Sequence, residues 1–270
     1  NRSKEKVEEA MKEGLDGVFS IEELVNKLEG RRVIWIMLPA GEIVDKVIDI
    51  LVPLLNKNDI IIDGGNSNYK DTLERYESLK LKGIDFVDVG TSGGIDGARN
   101  GACTMIGAEG EVFSYIEELI RDISVENGYL HCGNNGSGHF VKMVHNGVEY
   151  GMMAAIGEGF EILDKSRFDL DLEKVAKVWN HGSVVRGWLM ELAENAFRKD
   201  PKLDKIQGVM YSSGEGLWTV QEALELKIPA TIITQSLLMR YRSEQDDSLT
   251  GKLVAALRNE FGGHVVKDNK

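Results

Sequence analysis

Cysteine is scarce in this 270-residue sequence, which contains two, Cys103 and Cys132. Two cysteines in no metal-binding spacing argue against a disulfide-built secreted domain and favour a reducing compartment. We therefore expect a cytoplasmic protein in which both cysteines are small buried side chains. The histidines and carboxylates also lack the usual metal-ligand spacings, so we expect no bound metal.

Long apolar runs and an excess of positive charge are missing as well. Apolar runs such as residues 33–38 and 60–62 are far shorter than a membrane span, so no membrane association is expected. The net charge of -12 repels phosphate backbones, which argues against a nucleic-acid partner. A local basic pocket for one small anion remains compatible with that charge.

Helical and strand patterns alternate in the first half of the chain. Strand patterns lie at 31–37, 59–63, 86–89, 104–106 and 128–132, and helical patterns at 4–13, 43–55, 69–81 and 111–121. Such alternation is typical of a parallel sheet covered by helices. Later patterns are all helical, at 140–165, 172–179, 187–197, 220–226, 230–241 and 252–260. We predict a Rossmann-like, doubly wound α/β domain over 1–137 and an all-α domain over 138–270.

The glycine-rich fingerprint of dinucleotide-binding domains does not occur in the sequence. Such a domain opens with a strand, G-x-G-x-x-G and a helix, because the glycines let the pyrophosphate reach the helix N-terminus. We expect that strand, loop and helix to lie upstream of residue 1. Asn1, Arg2 and Ser3 would then end a second strand, where the adenosine ribose binds. An α/β domain that needs no dinucleotide is the alternative.

Polar loops with paired glycines follow two successive strand patterns. They are Asp63-Gly64-Gly65-Asn66-Ser67 and Gly90-Thr91-Ser92-Gly93-Gly94. Ligands of open α/β sheets bind at the carboxyl ends of the strands, and paired glycines allow close backbone approach. Asn66 and Ser92 can form hydrogen bonds there. An earlier loop, Leu38-Pro39-Ala40, follows its strand in the same way, and we assign it with Asn66 to cofactor binding.

One helical pattern carries an entirely polar face. Lys142, His145, Asn146, Glu149 and Tyr150 stand at i, i+3, i+4, i+7 and i+8, the spacing of one helix face, while the neighbouring residues are apolar or small. This composition predicts a buried helix whose polar stripe lines a cavity. The structural alternative is an ordinary ion pair beside a core histidine. Against it, seven residues separate the lysine and the glutamate by roughly 10 Å along the axis.

A buried lysine and a glutamate at this spacing suit the oxidation and decarboxylation of a hydroxy acid. A lysine made neutral by burial can remove the hydroxyl proton during hydride transfer and then hydrogen-bond the new ketone. If that ketone is β to a carboxylate, carbon dioxide can leave because the carbonyl accepts the electron pair. A glutamic acid held protonated in the closed site can then protonate carbon.

The stretch from Gly138 to Gly151, GHFVKMVHNGVEYG, resembles the signature of the decarboxylating 6-phosphogluconate dehydrogenase family. The wider β-hydroxyacid dehydrogenases share only the core of Gly138, Lys142 and Asn146. The resemblance also takes in residues 60–69, Ser92-Gly93-Gly94 and Trp218-Thr219. It therefore extends over nearly the whole chain.

The resemblance implies a role for each matching residue in the conversion of 6-phosphogluconate to ribulose 5-phosphate and carbon dioxide. Lys142 is implied as the general base and Glu149 as the general acid, with NADP or NAD as the cofactor. The substrate residues that it implies are Asn66, Ser92, Gly93, Gly94, His145, Asn146, Tyr150, Arg240, Arg258 and His264. Arg258 and His264 come from the neighbouring subunit in the family, which implies a homodimer or a dimer of dimers.

The sequence departs from the long members of the family in two places. A phosphate-contacting lysine before the tryptophan is replaced by Leu217, which puts phosphate affinity in doubt. The helical half is also too short for the duplicated helical domain, so the chain resembles the short form. Two other functions stay open: another β-hydroxyacid dehydrogenase of the 3-hydroxyisobutyrate type, and a non-catalytic dimeric ligand-binding protein.

Overall fold

A computed structural model describes residues 3–267, which divide into two compact units, the first ending at Asn146 and the second beginning at Gly147. The strands of the first unit are β1 (Val33–Ile36), β2 (Ile60–Asp63), β3 (Asp85–Ser92), β4 (Ala102–Gly107) and β5 (Ser124–Gly133). Its helices are α1 (Lys4–Lys12), α2 (Ile21–Lys27), α3 (Glu42–Leu51), α4 (Tyr69–Lys80), α5 (Gly94–Asn100) and α6 (Gly110–Ile123). α7 (Ser137–Asp164) begins in the first unit and ends in the second. The second unit continues with α8 (Leu172–Asn180), α9 (Trp188–Lys199), α10 (Gly214–Glu225), α11 (Thr231–Ser243) and α12 (Leu249–Gly262).

The predicted α/β organisation is confirmed, with a sheet covered on both faces. The described strands lie in the order β1-β2-β3-β4-β5. Side chains alternate between the faces, so Ile34 and Ile61 join one apolar core with residues of α2, α3 and α4, while Ile60 and Ile62 join a second core with residues of α6. Burial on both faces explains why the central strands read as continuous apolar runs.

One strand does not follow the predicted parallel arrangement. β4 runs antiparallel to β3, with Ser92 opposite Cys103, whereas the pairs β1–β2, β2–β3 and β4–β5 are parallel. A parallel crossover needs a dozen or more residues. The connection between β3 and β4 is shorter than that, because it consists of little more than the seven-residue α5.

Backbone contact at glycines fixes where α7 begins above the sheet. An added Cβ at Gly138 would lie 2.5 Å from the Met105 carbonyl oxygen and 2.7 Å from the Asp88 carbonyl oxygen. An added Cβ at Gly90 of β3 would overlap the Lys142 side chain. No larger residue fits at this crossing without moving the helix away from β3 and β4.

The second unit is built from helices, as predicted. Its described core joins the end of α7 to α8 and α9 through Phe160, Leu172, Ala176, Met190 and Phe197. α12 contributes no buried residue. None of the helices in residues 3–267 is long and apolar enough to span a bilayer.

We expect Gly138→Ala to lower the free energy of unfolding by about 2 kcal/mol or more, because overpacking of a closed backbone contact costs about 1–3 kcal/mol. The matched control is Gly157→Ala in the same helix, where an added Cβ meets nothing within 4 Å. That change should stabilise the protein by about 0.5–1 kcal/mol through helix propensity. Urea denaturation of both variants measures the difference, and equal effects would contradict the close crossing.

Candidate active site

Lys142 is the most deeply buried charged side chain of the predicted stripe, with 4% of its surface exposed. Its Nζ donates to Asn146 Oδ1 at 2.6 Å and lies 3.4 Å from His145 Nδ1. The three residues meet because they stand at i, i+3 and i+4 of α7. The helix thus holds the amine in one place with a fixed hydrogen-bond acceptor.

His145 connects this group to the end of β3. Its Nδ1 is 3.0 Å from Asn146 Oδ1, and its Nε2 is 3.5 Å from Ser92 Oγ. When Nδ1 carries the proton and donates to Asn146, Nε2 is free to accept from the Ser92 hydroxyl. The imidazole therefore links the end of β3 to the Lys142 and Asn146 side chains.

Hydrogen bonds from the Asn66 side chain to the backbone of β3 fix the loop after β2. Asn66 accepts from the Thr91 N–H at 3.2 Å and donates to the Thr91 carbonyl at 3.4 Å. Gly65 lies so close to the Leu38 carbonyl that an added Cβ would overlap it. The predicted cofactor residues Leu38 and Asn66 consequently lie in neighbouring loops, with Pro39 and Ala40 exposed beside them.

The Ser92-Gly93-Gly94 segment leads directly into α5. Gly93 precedes the helix with φ 131°, and Gly94 begins it with φ 56°, conformations that favour glycine. An added Cβ at Gly93 would lie 2.8 Å from Gly97 Cα. The glycine pair therefore allows a tight turn into the helix at the strand end, next to Ser92.

Buried polar side chains connect the loop after β2 to α4, and α4 to α7. Asp63 Oδ2 accepts from Ser67 Oγ at 2.7 Å and from Arg75 Nη1 at 3.3 Å, and burial raises the pKa of Asp63. His139 of α7 lies 2.7 Å through Nδ1 from Thr72 Oγ1 of α4. Burial lowers the pKa of His139 to about 3, so this imidazole is neutral. Sequence patterns placed Asp63 and Ser67 in the polar loop but gave no role to Thr72, Arg75 or His139.

The second unit places Tyr150 beside the loop that precedes α10. The Tyr150 hydroxyl accepts from the Ser213 N–H at 2.7 Å and is 3.0 Å from Ser213 Oγ. The Arg240 guanidinium lies 3.6 Å above the Tyr150 ring and donates to the Tyr211 carbonyl at 2.7 Å. A cation and hydroxyl donors are thereby collected at one place, as anion binding requires.

The other residues of this unit that the sequence analysis named lie on α7, on α10, on α12 and just after α12. Glu149 is half-buried on α7, one residue before Tyr150. Leu217 is exposed in the first turn of α10. Arg258 is exposed on α12, and His264 follows that helix with its ring edge-on to Phe261.

Three expectations from the sequence are wrong for this chain. α7 is not buried all round, because the apolar residues Val141, Val148 and Met152 are 39%, 48% and 51% exposed. Its polar residues Lys142, Asn146 and Tyr150 are buried instead. Cys103, on β4, is exposed, and Cys132, on the edge strand β5, is half-buried. The third concerns one strand pair: the predicted sheet is present and mostly parallel, but β3 and β4 pair antiparallel.

Two of the predicted cofactor residues, Asn1 and Arg2, lie outside the described residues. Ser3 is exposed and stands immediately before α1. Within residues 3–267, no three histidine, cysteine, aspartate or glutamate side chains are grouped where they could hold a metal ion.

Asp88 is a further residue that the sequence patterns missed. It is fully buried in β3, and its two carboxylate oxygens accept the N–H groups of Gly136 and His139 at 2.7 and 2.8 Å. The one available signal was a charged residue inside the apolar stretch from Phe86 to Val89. Its partners could not be known without the fold.

Comparison with known proteins gives two matching family models. Residues 1–133 match the NAD binding domain of 6-phosphogluconate dehydrogenase, and residues 138–250 match the C-terminal domain of the same enzyme. A Bacillus subtilis protein described provisionally as a 6-phosphogluconate dehydrogenase is 57% identical over 97% of this chain and 88% of its own length. An NAD(+)-dependent, decarboxylating 6-phosphogluconate dehydrogenase of Haloferax volcanii is 42% identical over 98% of this chain and 88% of its own length.

Solved structures agree with the sequence relatives. The Plasmodium falciparum 6-phosphogluconate dehydrogenase, studied with NADP+ and with 6-phosphogluconate, superposes with a TM-score of 0.83 at 31% identity. The match covers all of this chain and 61% of that longer chain. A Salmonella typhimurium 3-hydroxyisobutyrate dehydrogenase shares the fold at 17% identity and a TM-score of 0.73, over 90% of this chain and 83% of its own. With both halves matched by its models and relatives at 57% and 42% identity, the chain belongs to the 6-phosphogluconate dehydrogenase family.

Proposed function

We propose that this protein oxidises and decarboxylates 6-phospho-D-gluconate to D-ribulose 5-phosphate and carbon dioxide, with reduction of NAD+ or NADP+. The observation that carries the proposal is the buried Lys142 amine, held against Asn146 and His145 next to the ends of β2 and β3. Family membership and the names of the relatives support the substrate. We further propose that the protein acts in the cytoplasm, with which its two free cysteines agree.

The strand-end loops suit a nicotinamide dinucleotide. Gly64 and Gly65 are buried, and an added Cβ at Gly64 or Gly65 would overlap Trp35 or the Leu38 carbonyl, so the loop after β2 packs closely against the end of β1 and the loop that follows it. Leu38, Pro39, Ala40 and Asn66 would hold the cofactor there. When bound, NAD(P)+ supplies the acceptor for the hydride.

Lys142 would act as the base in the first step. Burial in a low-dielectric site disfavours a charged ammonium, and a neutral amine can accept the proton of the substrate hydroxyl as the carbon hydrogen leaves with its electron pair. The product is a ketone β to the carboxylate. Lys142, now protonated, can donate a hydrogen bond to that ketone, while His145 and Ser92 orient the neighbouring hydroxyls.

Decarboxylation and the final proton transfer follow. Carbon dioxide leaves as the carbon–carbon electron pair moves towards the carbonyl, whose oxygen takes the Lys142 proton to form an enol. Collapse of the enol to the ketose needs a proton on carbon, and we assign its delivery to Glu149, while the enol hydroxyl returns its proton to Lys142. The phosphate would meet Tyr150 and Arg240, whose guanidinium and hydroxyl donors lie together.

We expect Lys142→Met to reduce kcat by about 10²–10⁴-fold, the usual contribution of a general base. Turnover is followed by nicotinamide absorbance in the full natural protein, at saturating 6-phosphogluconate and with each cofactor in turn. The control is Lys165→Met, which removes an exposed lysine just after α7 and should leave kcat unchanged. Wild-type protein that reduces neither cofactor would refute the proposed function, and a fully active Lys142→Met variant would refute the base.

Glu149→Gln should impair the steps after hydride transfer more than hydride transfer itself, because an amide cannot deliver a proton to carbon. In rapid-mixing experiments we expect a burst of reduced nicotinamide close to one equivalent per site, followed by slow turnover. The matched control is Glu158→Gln on an exposed position of α7. A burst absent from both variants, with equal steady-state rates, would remove Glu149 from the mechanism.

We also propose a homodimer, alone or as a dimer of dimers, in which α12 and the residues after it complete the partner's site. Leu249, Leu253, Leu257 and Phe261 recur every four residues on α12 and are 53–80% exposed, so the helix presents an apolar stripe. A second copy of the chain would cover it. Arg258 and His264 would then serve the neighbouring subunit.

Mixing two inactive variants tests this exchange. Lys142→Met and Arg258→Ala, dissociated and reassociated together, should regain about a quarter of wild-type activity, because half the dimers are mixed and each has one intact site. Each variant treated alone is the control. If the mixture has only the activity expected from the two variants measured separately, Arg258 acts within its own chain or not at all.

A further inference from the structure

Asp88 joins β3 to the first turn of α7. Its side chain is fully buried, and the N–H groups of Gly136 and His139 donate to separate carboxylate oxygens at 2.7 and 2.8 Å. The first N–H groups of a helix have no partner within the helix, and an aspartate that accepts them stabilises the N-terminus. Here the capping carboxylate comes from the sheet, so it ties the helix start to one position on β3.

Glycines hold the Asp88 carboxylate in a closed space. An added Cβ at Gly107, opposite Asp88 on β4, would lie 2.5 Å from Oδ1. An added Cβ at Gly138 would lie 2.7 Å from the Asp88 carbonyl oxygen. The Asp88 carboxylate therefore occupies space that a side chain at position 107 would fill, and its two hydrogen bonds hold the start of the helix there.

Successive residues of β3 contact successive parts of the site. Two residues beyond Asp88, Gly90 packs directly against the Lys142 side chain, one helical turn after His139. Thr91 holds Asn66 through its backbone, and Ser92 lies next to His145. Residues 88–92 therefore set the distances between the lysine, the loop after β2 and the strand end.

We propose that Asp88 is a positioning residue that sets the place of Lys142 relative to Asn66 and Ser92. The inference rests on the proposed function, because it assigns Asp88 to the base of that reaction. Asp88 itself lies beneath the helix start and does not contact substrate. Without its carboxylate, the start of α7 loses two hydrogen bonds to β3, and Lys142 moves away from the strand end.

The test compares Asp88→Asn, which keeps one acceptor oxygen, with Asp88→Ala, which keeps none. Calorimetric titration with NAD+ or NADP+ counts the molecules that bind cofactor, and kcat is expressed per binding site. We expect kcat per site to fall in the order wild type, Asp88→Asn, Asp88→Ala, by about tenfold or more at the last step, since a displacement near 1 Å costs on the order of 10² in rate. The KM for cofactor should change less than about twofold, as uniform binding is untouched.

Asp85→Asn is the matched control, because Asp85 lies on the same strand and pairs with Arg31 at 2.6 Å, away from α7. It should keep wild-type kcat. Wild-type kcat per site in Asp88→Ala would overturn the proposal, and so would failure of both Asp88 variants to yield cofactor-binding protein, since Asp88 would then serve folding. Inactive wild-type and Asp85→Asn proteins would instead count against the proposed function.

Discussion

The crossing of α7 over β3 and β4 is the constraint on which the first unit depends. At Gly138 the backbones approach so closely that no side chain fits between them, and at Gly90 and Gly107 the space is filled by the side chains of Lys142 and Asp88. Protein interiors have little compressibility, so a helix held at backbone contact cannot shift without opening a void or a clash. Lys142 thus lies on a helix held in close contact with the sheet rather than on a loop.

Helices usually bury their apolar residues and expose their polar ones, but several residues of α7 do the opposite. Lys142, Asn146 and Tyr150 are buried and each has a polar partner, while Val141, Val148 and Met152 face outward. Burying polar groups costs free energy unless their hydrogen bonds are satisfied, and such arrangements concentrate at functional sites.

Sequence periodicity predicted the regular elements well, because apolar spacing directly reflects burial. The central strands β2 and β3 and the helices α4 and α6 lie within a few residues of their predicted positions. Periodicity missed α2 and α5, which are only seven residues each. It also could not give the direction of β4, since strand direction depends on the length and path of the connection and not on side-chain alternation.

The site was predicted to the extent that its residues share one helix or one loop. Lys142, His145 and Asn146 follow from helical spacing, and their hydrogen bonds confirm that they meet. Asp88 and Ser213 were missed because their partners lie 48 and 63 residues away in the chain.

Two buried titratable residues at the start of α7, Asp88 and His139, respond to acid in opposite ways. Burial raises the pKa of Asp88 to about 7 from 3.8 and lowers that of His139 to about 3 from 6.5. As the pH falls from 6.5 to 3.8, the unfolded chain takes up a proton on His139 that the folded chain does not bind, so His139 stabilises the fold less. Over the same range the folded chain keeps a proton on Asp88 that the unfolded chain releases, so Asp88 stabilises the fold more. Inside that window Asp88 and His139 together carry one proton in the folded chain and one in the unfolded chain. Their two opposite titrations therefore largely cancel, and mild acid changes the folding free energy at the start of α7 little.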